Sequence, residues 1–135
     1  MNVRPYLYFD GRCEEAINFY KQAVGAEVTM LMRFKEMPDP QPSSIPPGAE
    51  NKVLHASFTI GDSAIMASDG HCGGKAVFQG VALTLTVKTE AEADKYFAAL
   101  SNGGKPLMPL TKTFFSPKFG MTADKFGVNW LVIVQ

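Results

Sequence analysis

The chain has 135 residues, 46% of them hydrophobic and 19% charged, which is enough for one domain with a hydrophobic core. Thirteen basic and thirteen acidic side chains cancel, so the sequence offers no basic surface for nucleic acid or an anionic membrane. No stretch approaches the roughly 20 apolar residues of a membrane span, and the N-terminal residues lack the pattern of a secretory signal. We therefore expect a soluble, cytoplasmic protein with neither kind of partner.

The first half of the sequence predicts a strand, a helix and three more strands. Residues 3–9 form a β-rich aromatic run, and apolar residues at helical spacing before Gly25 predict a helix. Residues 26–35 predict the second strand, and five prolines between positions 37 and 52 predict a long loop. A turn at Gly61-Asp62 then joins two short strands into a tight hairpin.

The second half repeats this order. Residues 81–87 predict a strand, and Thr89 with Glu92 forms a capping box at the start of a helix that ends before Gly103. Three extended segments follow, at residues 105–112, 114–122 and 128–134. The repeated order indicates an internal duplication of a βαβββ unit. We expect a single domain of two modules, about 1–70 and 78–135.

Several motifs along the chain carry a resemblance to a known family. They lie at residues 5–9, 15–20, 25–27, 55–56, 60–63, 68–69 and 124–130. Together they resemble the PhnB-like branch of the vicinal oxygen chelate superfamily, the glyoxalase and bleomycin-resistance fold. The resemblance implies an α+β protein in which two βαβββ modules form an incomplete barrel around a cavity. It also implies a homodimer.

Metal-dependent members of this superfamily hold a divalent ion with His, Glu or Gln side chains on the first, fourth, fifth and eighth strands. The corresponding strands of this chain contain no His, Glu, Asp, Gln or Cys. Counting from the motifs puts the four positions on Pro5, Met66, Ala82 or its neighbour, and Leu131. We therefore expect no metal at this place and no cofactor.

An alternative metal site stays open in a glycine-rich loop of the first module. Asp69, His71 and Cys72 lie together there, and this is a set that can bind zinc. Ordinary polar loop residues are the commoner interpretation of such a group. The other cysteine, Cys13, is far away in sequence, and the two match no paired redox spacing.

The predicted hairpin sorts its side chains onto two faces. If residues 61–62 are the central turn residues, His55 pairs with Ser68 across the strands. One face is apolar and suits packing against helices, whereas Met66 places the other face at the lost ligand position of the cavity. A histidine there can act as a general base or anchor a ligand, although many such histidines are structural. The predicted ligand contacts of this face are His55, Ser57, Met66 and Ser68.

Two further ligand contacts are predicted in the second module. Thr84 lies on the small polar face of the fifth strand, and Phe115 lies in the densest aromatic segment of the chain. Core packing or a dimer contact explains Phe115 equally well.

The first strand gives conflicting indications. Counting from the helix points Pro5, Leu7 and Phe9 toward the cavity. Polarity favours Tyr6 and Tyr8 instead.

The leading functional hypothesis is a metal-free protein that binds a small molecule of unknown identity. The alternatives are a lyase or isomerase that works through His55, and a metal-dependent enzyme that uses Asp69, His71 and Cys72. A methyltransferase is disfavoured, because no glycine-rich loop follows an opening strand to hold a nucleotide-like cofactor.

Overall fold

The computed structural model describes residues 1–38, 45–70 and 72–135. Within these ranges the chain forms two helices and eight strands, and it divides into two compact units, Met1–Ala76 and Val77–Gln135. The first unit contains β1 (Tyr6–Tyr8), α1 (Cys13–Val24), β2 (Glu27–Arg33), a 3-10 turn (Phe34–Glu36), β3 (Val53–Ile60) and β4 (Ser63–Ser68). The second contains β5 (Leu83–Val87), α2 (Glu90–Ser101), β6 (Lys105–Thr111), β7 (Phe119–Ala123) and β8 (Asn129–Val134).

Both units have the same mixed sheet topology. The strand order is β1-β4-β3-β2 in the first sheet and β5-β8-β7-β6 in the second, so each unit runs strand, helix and three strands with equivalent neighbours. The first and last strands of each unit are parallel, while the other pairs are antiparallel. The predicted α+β class and the repeated βαβββ order are confirmed.

The hairpin of the first unit has the predicted register. Ile60 pairs with Ser63 and Ser57 pairs with Met66, as a turn centred on residues 61–62 requires. Gly61 has a φ of 56°, a left-handed conformation that suits the two-residue turn. Because side chains alternate along strands, this register decides which residues share a face.

Helix α1 covers the apolar face of the first sheet. Its buried residues recur at helical spacing, and the Tyr20 ring stacks with Phe58 of β3 at a centroid distance of 6.1 Å. Phe58 is fully buried, and so is Ala56 two positions earlier. The helix ends at Gly25, which has a left-handed backbone conformation and donates its backbone N–H to the Tyr20 carbonyl oxygen. This packing leaves the opposite face of the sheet to the residues that alternate with Phe58.

Helix α2 begins after Thr89, the predicted N-cap residue, but only the Thr89 half of the predicted capping box forms, because the Glu92 carboxylate bonds the Thr89 hydroxyl and not its backbone N–H. The Thr89 hydroxyl accepts the backbone N–H of Glu92 and donates to its carboxylate, both at 3.1 Å. The seventh strand begins five residues later than predicted. Residues 113–116 form a turn instead, in which the Thr113 and Ser116 backbones and the Thr113 hydroxyl bond one another.

None of the helices among the described residues is long and apolar enough to cross a lipid bilayer.

Candidate functional site

The candidate site lies on the face of the first sheet opposite to Phe58. Met66 pairs with both Tyr6 and Ser57, and His55 pairs with Met32, so these side chains share one side. We call this surface the His55 face. It comprises Tyr6, Tyr8, Met30, Met32, His55, Ser57, Met66 and Ser68.

The four predicted contacts of the hairpin all lie on the His55 face. Ser57 pairs with Met66 and Ala56 pairs with Ala67, and His55 and Ser68 are the next residues of the two strands. The structure therefore brings these side chains together as the hairpin count predicted. Their role in binding a ligand stays a prediction.

The first strand presents its tyrosines to the His55 face. Tyr6 pairs with Met66 and Tyr8 pairs with Ser68. Leu7 and Phe9 point the other way and are buried. The count from the helix was off by one residue, and it crossed a turn in which Asp10 and Gly11 both have positive φ. Polarity was the better guide to this strand.

A short polar contact on the face joins two strands. The Tyr6 hydroxyl lies 2.8 Å from Nδ1 of His55, and the two rings are 5.5 Å apart. On the other side of the imidazole, Nε2 lies 3.5 Å from the Ser57 hydroxyl, at the outer limit for a hydrogen bond. His55 is thus held mainly through Nδ1, whereas the contact of Nε2 is long.

Ser68 lies at the end of β4, the strand that pairs with β1. Its side chain is almost fully buried, and its hydroxyl oxygen accepts the backbone N–H of Gly70 at 2.8 Å. Burial raises the pKa of the Tyr6 phenol, and a side-chain hydrogen bond with Ser68 opposes this with a smaller effect. Tyr6 therefore keeps its proton at neutral pH.

Apolar and aromatic atoms surround this polar group. Met30, Met32 and Met66 contribute thioethers, and the Tyr8 ring lies 4.9 Å from the Tyr6 ring. Tyr8 is 54% exposed and Met30 is 41% exposed, so the face is accessible in the folded chain. Methionine side chains adapt to flat, irregular ligands and make favourable contacts with aromatic rings. The arrangement suits a small molecule with a limited need for polar contacts.

Of the two contacts predicted in the second unit, Thr84 lies in β5 and Phe115 lies in the turn before β7. Thr84 pairs with Leu131 and is exposed, on the side opposite to the buried Trp130. The Phe115 ring is half exposed and packs edge-on against Phe119 at 5.1 Å. A ligand role for either residue stays a prediction.

The alternative metal cluster is only partly described, because His71 lies outside the described residues. Asp69 is buried, and its carboxylate accepts the backbone N–H groups of Gly11, Cys13 and Val53, all at 2.8 Å. Both of its oxygens therefore hold the fold together. The pKa of the Cys72 thiol is raised, mainly by burial, which keeps the thiol in its protonated, weakly ligating form.

A cleft of about 490 Å³ lies beside the N-terminal end of α1. Its charged residues are engaged within the protein. Glu14 forms two hydrogen bonds with Arg33, Lys52 donates to the Gly11 carbonyl at 2.8 Å, and Asp69 holds three backbone amides.

The donors present do not fit the divalent-metal centre that the superfamily implies. The strands that would supply it, β1, β4, β5 and β8, contain no carboxylate, imidazole or thiol. Across residues 1–38, 45–70 and 72–135, no group of three His, Cys, Asp or Glu side chains is arranged to hold an ion. Tyrosine hydroxyls and methionine thioethers make poor ligands for a hard divalent ion.

A family model described as 3-demethylubiquinone-9 3-methyltransferase matches residues 1–133. The chain belongs to this family. It is 36% identical to protein YjdN of Escherichia coli over 99% of the chain and 95% of that protein. Family membership therefore covers both units.

Solved structures that match over the full length support the same family. A putative 3-demethylubiquinone-9 3-methyltransferase, the PhnB protein from Bacillus cereus, is 33% identical, with a TM-score of 0.82 and complete coverage of both chains. Protein PA1353 from Pseudomonas aeruginosa is 36% identical, with a TM-score of 0.85 over all of this chain and 98% of that one. The PhnB-like branch indicated by the sequence motifs is confirmed.

A more distant likeness concerns the fold alone. A glyoxylase, bleomycin resistance protein and dioxygenase domain from Frankia is 15% identical, with a TM-score of 0.66 over 98% of this chain and 94% of that one. The chain thus has the fold of the vicinal oxygen chelate superfamily.

Proposed function

We propose that this protein binds a small molecule on the His55 face without a metal ion. The observation that carries the proposal is the pair of Tyr6 and His55, a polar group held at 2.8 Å among methionine and tyrosine side chains. Small-molecule sites are commonly apolar surfaces with a few placed polar groups. An apolar surface with one placed polar group is sufficient for binding a small molecule.

The methionines of the face provide a direct test. In protein labelled with 13C at the methionine methyl groups, a panel of small neutral aromatic compounds is expected to shift the signals of Met30, Met32 and Met66. Met37, at the end of the 3-10 turn, is the internal control and stays unshifted. The proposal fails if no compound in the panel moves the three signals or raises the melting temperature.

Methyl transfer is the second candidate, because the family description names that activity. The usual methyl donor, S-adenosylmethionine, carries a sulfonium, an ammonium and a carboxylate. The positions that flank His55 carry no formal charge to match these groups. Isothermal titration with S-adenosylmethionine separates the candidates: binding would favour methyl transfer.

A lyase or isomerase activity through His55 is supported by the same Tyr6 contact, since an oriented imidazole can transfer protons. A substrate-turnover screen of wild-type protein beside His55→Gln tests it. Activity that the variant loses while its melting temperature is retained would replace simple binding as the function.

We propose that the protein forms a homodimer and works in the cytoplasm. Sedimentation equilibrium tests the assembly, because a dimer has twice the chain mass of 14.7 kDa. A monomer throughout the micromolar range would contradict the first of these proposals. Fractionation of cells that express the tagged protein tests the second.

A further inference from the structure

Tyr6 and His55 meet through two atoms that can each donate or accept a hydrogen bond. The Tyr6 hydroxyl oxygen and Nδ1 of His55 are 2.8 Å apart, and this short contact requires one hydrogen atom between them. Burial raises the pKa of the Tyr6 phenol, so the phenol keeps its proton at neutral pH. When the imidazole is neutral, the pair therefore holds two protons, one on the phenol and one on the ring.

These two protons have two arrangements, and both preserve the short contact. In the first arrangement the Tyr6 hydroxyl donates to Nδ1 of His55, and Nε2 carries the ring proton. In the second arrangement Nδ1–H donates to the Tyr6 oxygen, and Nε2 is an acceptor. Exchange of the ring proton through water converts one arrangement into the other without gain or loss of a proton. The character of Nε2 thus follows the direction of the bond between Tyr6 and His55.

The neighbour of Nε2 within the protein does not decide between the two arrangements. The Ser57 hydroxyl lies 3.5 Å from Nε2, at the outer limit for a hydrogen bond, and a hydroxyl can itself donate or accept. Tyr6 and His55 are both half-buried, and the adjacent Tyr8 is 54% exposed. A group of a bound ligand can therefore supply the preference that Ser57 does not.

We infer that a bound ligand sets the tautomer of His55, so that the His55 face accepts neutral, flat molecules with either a hydrogen-bond acceptor or a donor at one edge. A carbonyl oxygen selects the first arrangement, because it accepts from Nε2–H. An N–H or O–H group selects the second arrangement, because it donates to the bare Nε2. This inference rests on the proposed binding function and names its ligand class.

The neighbours of His55 favour ligands that are neutral and flat. Met32 pairs with His55, and Met30 and Met66 both pair with Ser57. An ionic ligand would lose hydration beside these thioethers without gaining an opposite charge. A flat π system gains dispersion and sulfur–aromatic contacts instead. The methionines therefore bind the flat body of the ligand, and His55 meets its polar edge.

The tautomer of His55 in two complexes is the direct test. The probes are 1-indanone, which has a carbonyl oxygen, and indole, which has an N–H group. Long-range 1H–15N spectra of labelled protein at about pH 8.5, above the range in which histidines usually titrate, distinguish the two neutral forms. We expect the Nε2–H form with 1-indanone and the Nδ1–H form with indole. The same tautomer in both complexes overturns the inference.

Assignment of these signals does not require a change at the site. The chain has two histidines, so His71→Gln leaves His55 as the single histidine and identifies its signals. The tautomers are then read in the wild-type protein.

A third probe of nearly the same shape isolates the polar contribution. Indane has the same fused rings as 1-indanone but neither a donor nor an acceptor. Affinities of 1-indanone and indole are each expressed relative to that of indane, which removes the shared apolar contacts. In folded His55→Phe both ratios are expected to fall roughly three- to tenfold, the fold-change of about one net hydrogen bond. A fall for only one of the two probes contradicts the inference.

Two hydroxyl deletions test the contribution of Tyr6. Tyr6→Phe removes the group that orients the imidazole for either ligand, so both ratios are expected to shrink. Tyr8→Phe removes the hydroxyl of the adjacent ring and is expected to leave both ratios unchanged. Ratios in folded Tyr6→Phe equal to those of the wild type would contradict the role of the pair.

The outcomes separate this inference from the proposed function. Binding of the probes with one unchanging tautomer removes the inference and leaves small-molecule binding standing. If neither these probes nor any compound of the panel binds, the proposed function fails and the inference fails with it.

Discussion

The carboxylate of Asp69 lies 2.8 Å from the backbone nitrogen of Cys13, the first residue of helix α1. Asp69 follows β4, yet the same carboxylate also accepts the backbone N–H groups of Gly11 and Val53. It satisfies an N–H at the start of the helix, where a negative charge is favourable. One buried side chain therefore links the start of α1, the start of β3 and the end of β4.

Asp69→Asn is expected to lower the free energy of unfolding by roughly 2–3 kcal/mol. The amide replaces one acceptor oxygen with a donor that faces backbone N–H groups, and it removes the charge that strengthens the remaining bonds. Urea unfolding followed by circular dichroism measures the change. Asp62→Asn at the exposed hairpin turn is the control, with a change below about 0.5 kcal/mol. Equal effects of the two substitutions would contradict the role of Asp69.

The two cysteines are expected to differ in reactivity. Cys13 is fully buried, and burial, followed by the nearby Asp69 charge, raises the pKa of its thiol. Cys72 is half-buried, and its pKa is also raised, mainly by burial. Since the thiolate is the reactive form, an aromatic disulfide reagent at about pH 8 should modify Cys72 slowly and Cys13 only on unfolding. In folded Cys72→Ser no reaction is expected, and rapid modification of that variant would refute the prediction.

The ion pair of Glu14 and Arg33 gives a pH-dependent contribution to stability. Hydrogen bonding to Arg33 is the main cause that lowers the pKa of Glu14 below its usual value of 4.5. A lowered pKa of an acid stabilises the fold above its usual pKa, and this contribution is lost as the pH falls through the folded value. The pair is partly exposed, so Glu14→Gln should cost about 0.5–1 kcal/mol at neutral pH.

That difference should shrink below about pH 4.5, as the pH falls through the lowered pKa of Glu14 in the folded protein. Urea titrations of both proteins at several pH values measure it. Glu50→Gln, at an exposed position, serves as the control and should show no such convergence. A gap between wild type and Glu14→Gln that stays constant down to about pH 3 would contradict the assignment.

Gly104 is required where α2 leads into β6. A Cβ atom at this position would lie 2.1 Å from the Ala123 carbonyl oxygen and 2.7 Å from the Asp124 carbonyl carbon, both of them rigid backbone atoms. Gly104→Ala should therefore destabilise the protein by at least about 1–3 kcal/mol, the usual range for overpacking. Gly73→Ala is the matched control, because its Cβ meets no atom within 4 Å. Similar melting temperatures of the two variants would disprove this requirement.

The sequence predicted the hairpin and its faces because both depend on local rules. A two-residue turn at Gly61-Asp62 fixes the register, and the register fixes which side chains lie beside His55. The helix ends were equally local, at Gly25 and at the N-cap residue Thr89. Such features need no knowledge of distant contacts.

The role of Asp69 could not be predicted in this way. Its three partners are backbone groups up to 58 positions away, and backbone amides have no signature in the sequence. The contact of Tyr6 with His55 spans 49 positions and depends on the parallel pairing of β1 with β4. Polarity on the first strand was the available signal for it.

The motif at residues 124–130 could be recognised in the sequence, but its structural role could not be predicted. Asp124 accepts the backbone N–H groups of Phe126 and Val128 and the indole N–H of Trp130, which closes the turn between β7 and β8. The motif was recognisable as a family feature, whereas its bonds required coordinates. These hydrogen bonds give the spacing of Asp124 and Trp130 a structural explanation.

The connection made by Asp69 also bears on how sequences of this family can diverge. Every bond it makes to Cys13 and Val53 ends on a main-chain nitrogen. Related sequences can therefore replace those two side chains with others of similar bulk and keep both hydrogen bonds. The thiol of Cys13 is not needed for them. The acid at position 69 has no such freedom, so it should tolerate the least drift over evolutionary time.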